Sequence, residues 1–131
     1  MSPSIRSRVA GAVLGAAIGD ALGHPTEFLS GRAIRQRYGP IGVTGFELWW
    51  EREGARFAPY TDDTQMAEIV LRALIEARRT DAPMERAMED IAAGFANWQR
   101  HPQGGHRAPG NACMRGPKRL SEGVYWRDAG G

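Results

Sequence analysis

The chain has little of several features that would place it in other classes of protein. Cys113 is the only cysteine in 131 residues, so no internal disulfide can form, and a reducing compartment fits. The most apolar run, Val9 to Leu22, is too short to cross a bilayer and contains Asp20. These absences argue against a disulfide-stabilised secreted domain or a membrane protein, and they predict a cytoplasmic protein with no membrane partner.

A strong excess of one charge is also missing. Seventeen lysines and arginines stand against fifteen aspartates and glutamates, which gives a net charge of +2, and the arginines are scattered along the chain. A dense basic run, the usual electrostatic footprint of nucleic-acid binding, does not occur. We therefore predict no nucleic-acid partner.

Strand patterns are scarce, whereas the helical period is clear in several segments. Apolar residues spaced three and four apart predict one helix from about Asp62 to Arg79 and another from about Pro83 to Arg100, with Asp81 as its cap. A shorter helix is predicted over Ala33 to Tyr38, and a last one over Asn111 to Gly123, interrupted at Pro117. The predicted class is all-α, and residues 1–131 are expected to be the N-terminal part of a single domain.

The segment from Ile5 to Leu22 predicts a helix of a particular kind. Gly11, Gly15 and Gly19 are four residues apart, so they share one face, beside an apolar face that includes Val9 and Val13. Such glycines weaken a helix by about 1 kcal/mol each relative to alanine, but they let another helix approach closely. The pattern predicts a buried, central helix. The stretch after Tyr38, which contains Phe46, Trp49, Trp50 and Phe57, reads instead as an irregular loop.

The stretch Tyr60-Thr61-Asp62-Asp63-Thr64-Gln65-Met66-Ala67 is the most informative part of the chain. Its adjacent carboxylates and flanking hydroxyls are hard oxygen donors, the ligand type that Mg²⁺, Mn²⁺ and Ca²⁺ prefer. A second interpretation needs no metal: Thr61 caps the helix, and the two aspartates favour the positive end of its dipole. Spacing alone leaves both interpretations open.

Three motifs in this order resemble the ADP-ribosylglycohydrolase family. They are Gly15-Ala16-Ala17-Ile18-Gly19-Asp20-Ala21-Leu22-Gly23, then Glu27-Phe28, then the Thr61-Asp62-Asp63-Thr64 stretch; Arg107 to Cys113 adds a loop and helix start similar to bacterial members. The resemblance implies an orthogonal helical bundle that holds two divalent ions, Mg²⁺ or Mn²⁺. It implies that Thr61, Asp62 and Asp63 are metal ligands and that Glu27 lies near the reacting ribose as general acid or base.

The resemblance also implies a metal-dependent hydrolase that cleaves the glycosidic bond of ADP-ribose on a protein side chain or small acceptor. It covers only about the N-terminal half of a typical member, whose second acidic motif has no counterpart here, since Glu122 and Asp128 are the only acids after Asp90. The loop-like end from Asp128 to Gly131 fits the same interpretation. We therefore expect a fragment of the enzyme, which lacks a C-terminal half.

Alternatives remain open from the sequence. The chain could be an inactive remnant or a docking module that lacks the second ligand motif, or a phosphoesterase-like metal protein that uses the same acids. Asp20 could orient a metal ligand or cap backbone near the site, or it could simply pair with an arginine. His24 is interpreted as a surface loop histidine, with substrate contact as the alternative.

Overall fold

The computed structural model describes residues 4–130, which are mostly helical. The elements in chain order are α1 (Ile5–Gly23), a 3₁₀ turn (His24–Thr26), α2 (Gly31–Tyr38), β1 (Trp50–Arg52), β2 (Ala55–Phe57), α3 (Asp62–Thr80), α4 (Met84–Arg100), α5 (Asn111–Ser121) and α6 (Trp126–Ala129). The helical class and the positions of the predicted helices are confirmed. No described helix has the length and apolar character that a membrane span requires.

Several local predictions were wrong. Helix α5 continues through Pro117. Helix α4 has Pro83 rather than Asp81 at its N-cap position and no side-chain cap, and Asp81 lies two residues earlier with a left-handed φ of 52°. The expected loop at the end of the chain contains the short helix α6, while Gly131 lies outside the described residues. Turn geometry and an internal proline are therefore poor guides to helix ends in this chain.

The chain forms two compact units, and the boundary follows Thr64, within the first turn of α3. In the first unit, the oxygen of Ser4 caps α1 by accepting a hydrogen bond from the backbone nitrogen of Ser7, 3.1 Å away. Helix α1 buries only Ala21. Its large aliphatic side chains are exposed, up to 72% for Ile5 and 62% for Leu14. The prediction of a buried, central helix was wrong: the apolar pattern is present, but the described residues do not cover it.

The first unit also contains a hairpin that the sequence did not predict. Strands β1 and β2 pair antiparallel, with Trp50 opposite Phe57 and Arg52 opposite Ala55. The two loop residues, Glu53 and Gly54, both have positive φ, at 53° and 77°. This is the backbone that a two-residue hairpin turn requires. Segment 50–57 is thus ordered, although it lacks a clean period in sequence.

The core of the second unit is built around α3 and α4. Its buried apolar side chains are Ala73, Ala77, Ala87, Ile91, Ala96, Trp98 and Ala129. Small residues let the two helices approach closely: a Cβ atom added at Gly94 would clash with the Cγ2 of Ile69. Glycine is therefore required in α4 at this position for steric reasons.

Replacing Gly94 by alanine is expected to destabilise the second unit by about 1–3 kcal/mol, because the stiff, β-branched Ile69 has no easy way to move aside. Gly15→Ala is the matched control, since no atom of residues 4–130 beyond its own helix lies within 4 Å of the added Cβ. That change is expected to stabilise α1 by about 1 kcal/mol. Urea unfolding of both variants measures the change in the free energy of unfolding, which we expect to fall in Gly94→Ala and rise in Gly15→Ala. A change of the same sign in both variants would contradict this close approach of α3 and α4.

Candidate functional site

The start of α3 gathers the oxygen donors of the Thr61–Thr64 turn. Thr61 and Asp62 are each only 5% exposed, whereas the Asp63 side chain reaches solvent. The hydroxyl oxygen of Thr61 accepts a hydrogen bond from the backbone nitrogen of Asp63, 3.2 Å away. Thr61 thus caps the helix, as one of the two interpretations predicted. An oxygen that accepts one such bond keeps a second lone pair, so capping does not prevent metal ligation.

Asp20, in the last turns of α1, is bonded to the same turn from 41 residues earlier in the chain. Its Oδ2 accepts from the backbone nitrogen of Thr61 at 2.8 Å and from that of Thr64 at 3.2 Å, and also from the Thr64 hydroxyl. Of the sequence alternatives, the structure therefore shows the backbone cap. Burial raises the pKa of Asp20, but the hydrogen bonds from Thr64 and Thr61 together outweigh burial and hold it below its ordinary value.

The carboxylates at this turn carry negative charge that is not compensated locally. Burial raises the pKa of Asp63, and repulsion from Asp62 and Asp20 raises it further. The residue Asp62 is only 5% exposed, and within residues 4–130 its carboxylate makes no side-chain hydrogen bond or ion pair, but its oxygens keep contact with solvent. A cation bound at this turn would relieve the repulsion between these carboxylates.

The donor chemistry therefore fits a hard divalent cation, although the set is incomplete. Thr61, Asp62 and Asp63 offer only oxygen, the donor that Mg²⁺ and Mn²⁺ prefer. Across the described residues, no group of three or more histidine, cysteine, aspartate or glutamate side chains is arranged to hold a metal. Water or further protein donors would have to complete the coordination.

Glu27 lies just after the 3₁₀ turn, with its side chain exposed. In the described part of the chain, no side-chain hydrogen bond or ion pair joins it to the Thr61–Thr64 turn. The turn before it is held by His24, whose Nδ1 lies 3.4 Å from the carbonyl oxygen of Pro59 and whose ring meets that of Trp49 edge-on. His24 is thus half-buried rather than fully exposed, and its contact with Pro59 ties the segment before Glu27 to the segment before Thr61.

Gln65 is a residue of the motif whose role the sequence analysis missed. It is buried in the second unit, where its Nε2 donates to the carbonyl oxygens of Gln103 at 3.0 Å and Gly105 at 3.1 Å. Its Oε1 accepts from the indole nitrogen of Trp98 at 3.1 Å. Because Gln65 falls on the same helical stripe as Ile69, Ala73 and Ala77, an amide on an otherwise apolar stripe was the available signal.

Comparison with known proteins agrees with the fold and the motifs. The chain belongs to the ADP-ribosylglycohydrolase family, whose sequence profile matches residues 1–131. No solved structure matches the chain.

Two relatives show how much of such a protein the chain represents. It is 33% identical over 123 residues to the ADP-ribosyl-[dinitrogen reductase] glycohydrolase of Rhodospirillum rubrum, an alignment that covers 93% of this chain and 38% of that protein. It is 29% identical over 118 residues to an uncharacterized protein of Archaeoglobus fulgidus, covering 90% of this chain and 35% of that protein. The chain thus spans less than two-fifths of the length of these relatives.

Proposed function

We propose that the chain is the portion of a metal-dependent ADP-ribosylglycohydrolase that carries one set of metal ligands. Thr61, Asp62 and Asp63 would hold Mg²⁺ or Mn²⁺, two ions in the complete site, and Glu27 would act as general acid or base. The observation that carries this proposal is the set of oxygen donors gathered at the capped start of α3, where Thr61 and Asp62 are each 5% exposed and the neighbouring carboxylates repel one another. Family membership supplies the reaction class.

The chemistry asked of these residues follows from the bond to be broken. Cleavage at the ribose C1 passes through an oxocarbenium-like state, which needs help for the leaving group and an activated water. Divalent ions, when bound, supply Lewis-acid polarisation of hydroxyls and water. The exposed carboxylate of Glu27 moves a proton, a contribution of about 10²–10⁴-fold. The carboxylates of Asp62 and Asp63 would supply the charge that attracts the ions at the start of α3.

The substrate class follows from the Rhodospirillum rubrum relative, whose name describes action on an ADP-ribosylated protein. We propose the same class for this chain: ADP-ribose joined to a protein side chain or a small acceptor. The reducing environment suggested by the single cysteine agrees with a cytoplasmic site of action.

The test is release of ADP-ribose from an ADP-ribosylated protein in Mn²⁺, measured by chromatography. The chain is assayed alone and fused to the part of the Rhodospirillum rubrum relative that follows its aligned region; that relative's own full-length protein is the control. We expect turnover by the fusion, its loss in EDTA, and little turnover by residues 1–131. Turnover that survives EDTA would refute metal dependence, and cleavage of simple phosphate esters instead would favour the phosphoesterase.

A second candidate is a catalytically inactive remnant or docking module, which binds a polypeptide equivalent to the rest of such a relative. The exposed aliphatic side chains of α1 favour a docking role, because Ile5 and Leu14 are covered by no described residue. The glycine face of α1 is equally open. Stable binding to the separately produced remainder of the relative, without any turnover in the complex or the fusion, would support this candidate over the enzyme.

A further inference from the structure

We infer that Asp20 is a positioning residue for the proposed metal-ligand turn: it holds Thr61 and Asp62 in place without itself being a ligand. The inference rests on the proposed function and adds to it a residue from another helix. Asp20 lies on α1, and the turn that it holds starts α3. The glycine-rich motif of α1 and the Thr61–Thr64 turn of α3 would thus act together through one carboxylate oxygen of Asp20.

The geometry assigns this role to a single atom. Oδ2 of Asp20 accepts from the backbone nitrogens of Thr61 and Thr64 and from the Thr64 hydroxyl. Three donors saturate this oxygen. The bonds bracket Asp62 and Asp63 from both sides, since Thr61 precedes them and Thr64 follows them. Loss of the carboxylate therefore frees both ends of the segment that carries the proposed ligands.

The location of Asp20 in its own helix supports the same assignment. It lies three residues before the end of α1 at Gly23, where the helix dipole disfavours a negative charge. The start of α3 has the opposite polarity, with backbone N–H groups that lack partners within the helix. The negative charge of Asp20 thus destabilises the end of α1 and stabilises the start of α3. Its position is explained by the turn that it holds and not by its own helix.

Thr64 makes the assignment testable, because it contacts Asp20 and is not among the proposed ligands. Removing its hydroxyl takes away one of the three bonds and leaves the Asp20 carboxylate intact. If Asp20 acts through the turn, Thr64→Ala and Asp20→Ala both loosen the same turn. The double variant then loses less Mn²⁺ affinity, in free energy, than the two single variants lose together. If Asp20 is instead a direct ligand, Thr64→Ala has no effect on metal binding.

The experiment uses residues 1–131 with Asp20→Ala, Thr64→Ala, their combination and the control Glu51→Gln, an exposed acid on β1. Amide hydrogen exchange without metal follows the N–H groups of Thr61 and Thr64, and electron paramagnetic resonance of free Mn²⁺ measures affinity. We expect faster exchange at both amides in Asp20→Ala and a 10–100-fold loss of Mn²⁺ affinity, typical for partners that orient ligands. Thr64→Ala shows a smaller loss of affinity, and Glu51→Gln changes neither measurement.

The outcomes separate this inference from the proposed function. Unchanged exchange at Thr61 and Thr64 in Asp20→Ala overturns the inference, as does faster exchange with unchanged Mn²⁺ affinity, because Asp20 would then be only a structural cap. An affinity loss in Asp20→Ala without any in Thr64→Ala makes Asp20 a ligand and also overturns it. Wild-type protein that binds no Mn²⁺, while Asp62→Asn melts like wild type, overturns the proposed metal site itself and with it the role assigned to Asp20.

Discussion

Converting Asp62 and Asp63 together to asparagine is expected to lower ADP-ribose release by the fusion protein about 10³-fold. The amides keep the size of the side chains but remove both negative charges that attract the ions, and metal assistance is worth several kcal/mol of barrier. The double variant should melt no lower than wild type without metal, since neutralisation removes the cost of burying the charge and the repulsion from Asp62 and Asp20, which together raise the pKa of Asp63. Steady-state kinetics in Mn²⁺ measures the rate of ADP-ribose release, and a thermal scan in EDTA measures the melting temperature without metal.

The control for this prediction is Glu51→Gln, which neutralises an exposed acid of the same unit outside the turn. It should leave turnover and the melting temperature unchanged. Full metal-dependent turnover by the double aspartate variant would contradict the metal role of both residues, whatever the controls show.

Replacing Gln65 by alanine is expected to destabilise the second unit by about 3 kcal/mol, which lowers its melting temperature by about 10 °C. The change leaves the indole nitrogen of buried Trp98 without its acceptor and releases the carbonyls of Gln103 and Gly105. An unpaired buried donor costs its full desolvation. Thermal unfolding followed by circular dichroism measures the effect.

Asn97→Ala removes an exposed amide from α4 and serves as the comparison. It should change stability by less than about 0.5 kcal/mol, as most surface substitutions do. The variant Gln65→Ala with Trp98→Phe tests the cause, because it also removes the orphaned donor. This double variant should lose less stability than the two single variants lose together. Strictly additive losses of unfolding free energy would contradict the hydrogen bond between Gln65 and Trp98.

The periodic part of this fold was predictable from the sequence. Helix α3 was expected from Asp62 to Arg79 and runs from Asp62 to Thr80, because its apolar stripe repeats over several turns. The cap at Thr61 was one of two open interpretations and is present. These features depend on neighbours within a few residues, which a sequence displays directly.

The remaining features depend on contacts between distant segments. No local sequence pattern predicts that Asp20 accepts hydrogen bonds from Thr61 and Thr64, which follow it by 41 and 44 positions. The hairpin at 50–57 depends on the positive φ values of Glu53 and Gly54 rather than on alternating polarity. For α1 the apolar pattern was read correctly, but burial also needs a partner surface, and the described residues supply none. Ligand roles for Thr61, Asp62, Asp63 and Glu27 stay predictions.

The open face of α1 has a consequence for the behaviour of the chain in solution. Aliphatic surface of this kind favours self-association, and a net charge of +2 supplies little repulsion between molecules to oppose it. Colloidal stability of the isolated chain therefore depends on keeping it dilute. Lysine in place of exposed aliphatic side chains such as Ile5 and Leu14 would remove apolar surface and raise the net charge above +2, so it should reduce self-association.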